Sequence, residues 1–272
     1  SEAIEPTRIL QGQIIVQEGE VITREVYRQL ELLGMMDNKT SIKPIAGLMI
    51  LIFLQMSFMY ILFSQSKSDE TRKRKNLLVT ALVYMIALIT MKLISLVAGN
   101  FEIMIAFAYP SAMATMLVRI LVHDKAASLV TVMTAASAGL IFHEGYAAIL
   151  QMDVALYILF GGFASIFFMR SVEKRSDLLH ACGVITLVNV LFIAFYLLMA
   201  QSDYGWSEIG LYAAAAVLSG VLSGALTMGL MPFFESAFGL LSTMRLIELS
   251  NPNHPLLKKL LTETPGTYHH SV

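Results

Sequence analysis

Seven apolar runs, each close to the length of a membrane-crossing helix, constrain this sequence more than any other feature. A helix needs about 20 predominantly apolar residues to cross the hydrocarbon core of a bilayer. We place the runs at 45–65, 77–98, 103–122, 126–142, 146–169, 178–200 and 209–232. Because the connections between them are short, we predict an all-α membrane protein, folded as a compact bundle of seven transmembrane helices.

The composition supports this class. Of the 272 residues, 56% are hydrophobic and 14% are charged, whereas soluble domains carry about 25% charged residues. The sequence therefore excludes a soluble fold. Its one cysteine, Cys182, lies inside an apolar run and excludes an intrachain disulfide. No cleavable signal peptide is visible, so we expect the chain to start partway through a larger protein or at a cut.

Positive charge alternates along the connections between the runs. The first, third and fifth connections contain or border Lys and Arg, with five such residues in the 65–76 loop, whereas the second, fourth and sixth have none. Loops rich in Lys and Arg stay on the cytoplasmic side. The pattern therefore predicts a multi-pass protein of the cell membrane, with its N-terminus outside and its C-terminus in the cytoplasm.

The polar residues 1–43 are predicted to form a short soluble unit of mixed α and β structure. The segment 14–16 is β-like and precedes a Glu18-Gly19-Glu20 turn. A helix is predicted from about Arg24 to Leu33, with Thr23 as its N-cap and Gly34 as its stop.

Ionisable residues inside the runs are costly and are functional candidates, and two of them matter here, Lys92 and Asp153. Lys92 stands six residues before the outer end of the second run, and Asp153 stands seven residues after the outer start of the fifth. At 1.5 Å of rise per residue, both would lie about 9–10 Å below the outer boundary. An ion pair with a role in ligand sensing is therefore feasible. Alternatively, Lys92 extends to the headgroups and Asp153 faces a wet crevice, each alone.

Polar and aromatic residues gather in the predicted outer turns. Trp206 and Tyr204 suit an interfacial aromatic belt. The adjacent His143 and Glu144 are candidates for ligand sensing, either as a metal-binding pair or as a pH-sensing pair. A third metal ligand beside them is missing from the sequence pattern.

The seventh run carries small residues at helical spacing. Ser219, Gly220, Ser223 and Gly224 form a small-xxx-small stripe, which lets helix backbones approach closely. The stripe serves either packing within the bundle or a contact between two copies, so a homodimer is possible. Pro232 follows, and we expect the helix to bend near the cytoplasmic boundary and continue towards the tail.

The tail after the seventh run carries the most specific motif of the chain. It reads NPNHPLLKKLLTETPGTYHHSV over residues 251–272, and it stops as if a further element were beginning after Pro265-Gly266. The motif closely resembles the junction between membrane module and catalytic domain in the bacterial seven-transmembrane HD-domain receptors, the PgpH-type cyclic di-AMP phosphodiesterases. Residues 12–34 resemble the end of the extracytoplasmic domain of that family.

The resemblance implies an organisation, a metal site and a set of partners. The parts would be the end of an extracytoplasmic domain (1–43), the seven-helix bundle (44–235), a cytoplasmic helical linker (236–265) and the first residues of a truncated HD domain (266–272). His270 would be the first ligand of a two-metal site for manganese or iron. The remaining ligands would lie downstream, so we expect no catalytic residue in this chain. Its partners would be the lipid bilayer and its own HD domain, without nucleic acid.

Three functions compete for such a chain. The first is a signal-transducing module that regulates a cytoplasmic cyclic di-AMP phosphodiesterase domain. The second is a small-solute transporter or channel with Lys92 and Asp153 on its path, although the centres of the runs otherwise offer only Gln55, Asn189 and hydroxyls. A retinal-binding receptor is excluded, because residues 209–232 contain no Lys for the Schiff base.

Overall fold

The computed structural model of the chain describes residues 14–16, 20–33, 42–98, 103–143, 150–169, 175–200, 204–240 and 246–247. Within these ranges the chain forms eight α-helices and one 3₁₀ helix, without a strand. In order they are α1 (Arg24–Leu32), α2 (Ile42–Ser64), α3 (Glu70–Ala98), the 3₁₀ helix (Ile103–Ala108), α4 (Met113–Leu121), α5 (Asp124–Ile141), α6 (Met152–Phe168), α7 (Arg175–Met199) and α8 (Trp206–Phe238).

The first of two structural units, Ser1–Leu54, contains α1. The Thr23 hydroxyl caps this helix by accepting the backbone N–H of Val26 at 3.4 Å. The predicted helix and its N-cap are therefore confirmed, whereas its predicted stop, Gly34, lies outside the described residues. The strand predicted at 14–16 is not observed, since these three residues belong to no helix or strand.

Several helices have the length and composition of membrane spans. Among the described residues, five segments qualify: Ile45–Ser64, Glu70–Val97, Met104–Leu121, Ser176–Met199 and Trp206–Phe238. The apolar α6 falls just short, with 17 residues. The remaining helix, α5, has 18 residues but starts with Asp124 and Lys125, and many of its other residues are Ala, Ser or Thr. Membrane insertion thus rests on several helices, and the count of seven spans stays a prediction.

The second unit, Gln55–Val272, contains a helical bundle with two principal layers of core. One layer joins the end of α2 and α8 to the start of α3 and α5, through residues such as Phe63, Val79, Ala126 and Phe234. The other layer joins the end of α3, α5 and α7 to the start of α6 and α8. Helices α3, α5 and α7 therefore run opposite to α2, α6 and α8.

The third predicted run forms the centre of the bundle, but it is not one continuous helix. After the 3₁₀ helix the chain leaves helical geometry over residues 109–112, and α4 begins at Met113. Pro110 lies in this break, and a proline has no N–H for a helical hydrogen bond. Seven of the nine residues of α4 are buried, because α4 packs against α3, α5, α6 and α8.

The last helix, α8, is the longest described, with 33 residues. As expected, it continues past Pro232, and it ends at Phe238. Gly239 follows with φ 55°, in the left-handed region that commonly closes a helix C-terminus. The helix thus runs from one side of the bundle to the other and leads directly to the tail.

Candidate functional site

The break in the third run is held by hydroxyl groups of α8. Ser219 Oγ donates to the carbonyl of Tyr109 at 2.5 Å and accepts the backbone N–H of Ser111 at 3.2 Å. One turn later, Ser223 Oγ accepts the N–H of Ala112 at 3.2 Å. Irregular backbone at membrane depth is tolerated where protein groups satisfy its hydrogen bonds. These two serines perform that role here.

A side-chain amide from α7 completes the arrangement. Asn189 Nδ2 donates to Ser111 Oγ at 3.1 Å and to Ser219 Oγ at 3.2 Å, and its Oδ1 accepts from Ser111 Oγ at 3.3 Å. We call the set formed by Tyr109, Ser111, Ala112, Asn189, Ser219 and Ser223 the helix-break network. Every one of these residues is buried, so losing a partner would leave a polar group without water to replace it.

A glycine of α6 gives the network its space. A Cβ atom at Gly161 would lie 2.5 Å from Ser111 Oγ, closer than real contacts allow, and 3.0 Å from Asn189 Oδ1, which is a tight contact. At the next residue, a Cβ on Gly162 would lie 2.5 Å from the methyl group of Thr131 on α5. The Gly161-Gly162 pair therefore lets α6 pack directly over the break.

The two glycines of the small-residue stripe lie against α7. A Cβ at Gly220 would lie 2.1 Å from Thr186 Oγ1 and 2.9 Å from Thr186 Cα, and one at Gly224 would lie 1.9 Å from Cys182 Sγ. The stripe is thus buried inside a single copy of the bundle. Its glycines bring α8 close to α7, and its serines hold the break.

A second buried network connects α2, α3 and α5. Tyr84 Oη donates to Gln55 Oε1 at 2.7 Å and lies 2.7 Å from Ser137 Oγ. Gln55 Nε2 donates to Ser137 Oγ at 3.2 Å. Gln55 and Asn189, the two side-chain amides that the centres of the runs offer, therefore both bind neighbouring helices.

Arg119 joins three helices at the opposite end of α4 from the break. Its Nε donates to the Asp124 carboxylate at 2.9 Å, and its side chain is only 10% exposed. Its Nη1 donates to the carbonyls of Ser165, at 3.0 Å, and Ile166, in the last turn of α6. A cation at a helix C-terminus also interacts favourably with the helix dipole. In the sequence, Arg119 is one of the positive charges that border the third connection between the runs, and its position alone does not indicate these contacts.

Lys92 and Asp153 do not form an ion pair. Both are described residues, and the ion pairs within the described part of the chain are Lys73–Glu70 and Arg119–Asp124. Lys92 is exposed on α3, and Asp153 lies in the first turn of α6, which begins six residues later than predicted. Moreover, the main contacts of α3 and α6 are with other helices, α5 among them, and not with each other.

The other predicted site residues give partial information. His143 follows α5, and its Nδ1 is buried without a hydrogen-bond partner among the described residues, a set that omits 144–149. Glu144 and His270 lie outside the described residues. Within the described ranges, no group of three or more His, Cys, Asp or Glu side chains could hold a metal ion.

Comparisons with known proteins identify similar chains. Residues 42–242 match the family model described as a 7TM receptor with intracellular HD hydrolase, and residues 1–37 match the model described as 7TM-HD extracellular. The chain is 37% identical over its whole length to the cyclic-di-AMP phosphodiesterase PgpH of Bacillus subtilis. It is 34% identical to the protein of the same name from Listeria monocytogenes.

These relatives are much longer proteins. The chain spans 38% of the Bacillus protein and 37% of the Listeria protein. No solved structure is significantly similar to the chain.

Proposed function

Because the chain belongs to the family of seven-transmembrane receptors with an intracellular HD hydrolase, we propose that it is the signalling membrane module of a cyclic di-AMP phosphodiesterase. Two relatives that align over its full length carry that activity in their names. Residues 1–43 would close an extracytoplasmic domain, 44–235 form seven spans, 236–265 form a cytoplasmic linker, and 266–272 open the HD domain. The alternating loop charges support this orientation.

In this proposal the reaction belongs to the HD domain. His270 would supply the first ligand of a pair of divalent metals, manganese or iron, and such a pair would supply the Lewis-acid chemistry for hydrolysis of a phosphodiester bond of cyclic di-AMP. The membrane module contributes regulation. It adds no catalytic residue, and its partners are the bilayer and the HD domain.

The observation that carries the regulatory proposal is the attachment of α8 to the helix break. Ser219 and Ser223 hold irregular backbone in the middle of the bundle, and the same helix continues to Phe238, within the first residues of the proposed linker. A stimulus that changes packing around residues 109–112 would change the position of α8, because α8 supplies the hydrogen bonds of the break. The linker would then reposition the HD domain.

Hydrolysis by the full-length natural protein in lipid nanodiscs tests this proposal. We expect Ser223→Ala to change kcat for cyclic di-AMP by about fivefold or more, the lower end of typical coupling between sites. The KM should stay constant, since the change alters the population of active arrangements and leaves the substrate pocket intact. Ser207→Ala is the matched control, because Ser207 is an exposed serine at the start of the same helix.

Three results would count against parts of the proposal. If Ser223→Ala, Ser219→Ala and the parent had equal kcat, the module would only anchor the HD domain to the membrane and would not regulate it. An inactive full-length parent with manganese or iron would overturn the substrate. Metal-dependent hydrolysis by residues 1–272 alone would show that the reaction does not require the HD domain, which contradicts the proposal.

A further inference from the structure

A cleft at one end of the bundle collects positive charge from two distant segments. It has a volume of about 700 Å³ and lies between the end of α2 and the turn that connects α4 to α5. Its walls include Leu62, Gln65 and Lys67 from the first segment, and His123, Asp124 and Lys125 from the second. We call this cavity the basic cleft.

The charges in the basic cleft do not cancel. Lys67 and Lys125 are both exposed, and neither has a carboxylate within 4 Å in the described part of the chain, where the ion pairs are Lys73–Glu70 and Arg119–Asp124. The Asp124 carboxylate is thus already engaged by Arg119. His123 is held neutral in its cap, since its Nδ1 accepts the N–H of Ala126 at 3.0 Å. The cleft therefore presents two ammonium groups without counterions.

An apolar track leads into the basic cleft along α2. Phe58 and Ile61 are exposed, and the spacing of a helix places them in line with Gln65, which directly follows the helix. Because α2 belongs to the segments with the length and composition of a membrane span, its end at Ser64 would lie where lipid headgroups begin. A ligand that reaches the cleft from this side has an apolar tail and an anionic head.

We propose that the basic cleft binds the phosphate of an anionic phospholipid whose acyl chains lie along the Phe58–Ile61 track. Lys67 and Lys125 would bind the phosphate oxygens from opposite walls, and Gln65 would donate a hydrogen bond. Basic pockets at the ends of membrane helices bind lipid headgroups in this manner. Since the cleft joins the α2–α3 loop to the α4–α5 turn, a bound lipid stabilises the end of the bundle that holds the Arg119 contacts.

Titration of the full-length natural protein in micelles with fluorescently labelled phosphatidylglycerol tests the site. Each of Lys67→Gln and Lys125→Gln should weaken binding about fivefold, since a lysine near an anionic surface contributes on that order. The Lys67→Arg, Lys125→Arg pair should retain binding because both charges remain. Arg72→Gln with Arg74→Gln is the matched control: these exposed cations belong to α3 and do not line the cleft.

The outcomes distinguish a specific lipid site in the basic cleft from binding through general surface charge and from binding of a free anion. If Lys67→Gln with Lys125→Gln and the control Arg72→Gln with Arg74→Gln weakened lipid binding equally, general surface electrostatics would account for the binding and the proposal would be overturned. The proposal would also be overturned if inorganic phosphate displaced the labelled lipid at low concentration, because a free anion would then be the ligand. The same conclusion would follow if phosphate stabilised the protein in phosphatidylcholine nanodiscs as strongly as phosphatidylglycerol does. Hydrolysis is not measured, so the result is independent of the proposed function.

Discussion

The hydroxyl group of Ser219 on α8 serves both sides of the helix break, because it donates to the carbonyl of Tyr109 and accepts the amide N–H of Ser111. A third hydrogen bond, from Asn189, uses its remaining acceptor capacity. One side chain therefore satisfies two of the backbone groups that the break leaves without a helical partner. The position of α8 is tied to the conformation of the third run through this atom.

Replacing Ser219 by alanine should destabilise the bundle. The substitution leaves the Tyr109 carbonyl and the Ser111 N–H buried without a partner, which costs about 1–3 kcal/mol. We expect a lower midpoint of thermal unfolding in detergent than in Ser207→Ala, which removes an exposed hydroxyl from the same helix. Equal midpoints for the two variants would show that water or backbone rearrangement satisfies the break.

The glycines of α8 should differ sharply in their tolerance to alanine. A Cβ at Gly220 meets the backbone of Thr186 at 2.9 Å, whereas one at Gly229 meets nothing within 4 Å. Gly220→Ala should therefore cost about 1–3 kcal/mol by overpacking, and Gly229→Ala should be neutral or stabilising by up to about 1 kcal/mol through helix propensity. Unfolding midpoints measure both. Similar effects at the two positions would contradict the close approach of α7 and α8.

Arg119 and Asp124 should contribute unequally although they form one ion pair. Arg119 is 10% exposed and also binds the last carbonyls of α6, whereas the Asp124 side chain is 65% exposed. We expect Arg119→Met to lower the free energy of unfolding by about 2 kcal/mol, the scale of hydrogen bonds to a charged group. Asp124→Asn should cost less than about 1 kcal/mol, as for exposed pairs.

The comparison of these two variants is itself the test. A larger loss for Asp124→Asn than for Arg119→Met would mean that the ion pair, rather than the contacts to α6, gives Arg119 its role. Arg72→Met, a change at an exposed cation of α3, controls for the loss of one positive charge.

The hydropathy pattern predicted the apolar helices well and the break poorly. An averaged window tolerates Tyr109-Pro110-Ser111 because the flanking residues are strongly apolar, and Met104–Leu121 still qualifies as a span. Pro110 was the available signal, since proline inside a helix breaks its hydrogen bonding. The roles of Gly161 and Asn189 carried no such signal, because they depend on which helices become neighbours.

The predicted pairing of Lys92 with Asp153, which the structure does not show, illustrates why equal depth in the membrane does not by itself predict contact. Counting residues from the run boundaries gave equal depths, but that count assumes that each run is helical from its first residue. The helix α6 begins at Met152, and Asp153 lies in its first turn, where the positive end of the helix dipole favours an acid. Periodicity also gave no information on which helices would become the main neighbours of α3 and α6.

The orientation across the membrane can be tested with single cysteines. In a Cys182→Ser background, an impermeant thiol reagent added to intact cells should label Ser202→Cys and leave Ser68→Cys unlabelled. The reason is that the 65–76 loop carries five cations and the 201–208 connection has none. Permeabilised cells should show labelling at both positions, which controls for access of the reagent. Labelling of Ser68→Cys in intact cells would show that the orientation is the opposite of the predicted one.

Acidification should weaken the start of α5 through His123. Burial lowers the pKa of His123 below its ordinary value of 6.5, although the adjacent Asp124 partly opposes this shift. The neutral ring is also required by the cap, since a protonated Nδ1 cannot accept the N–H of Ala126. Below about pH 6.5, His123 is therefore protonated more readily in the unfolded chain than in the folded chain. The free energy of unfolding consequently decreases as the pH is lowered from about 6.5, until the pH is below the pKa of His123 in the folded state.

Replacing His123 by asparagine isolates this effect. Asparagine is a good N-cap and does not titrate, so His123→Asn should retain stability at neutral pH and lose less of it between about pH 6.5 and 5 than the parent does. Unfolding midpoints in detergent across that range measure the difference, with His180→Asn as the control for removing an exposed histidine of α7. Parallel losses in the parent and His123→Asn would show that the pH dependence arises elsewhere.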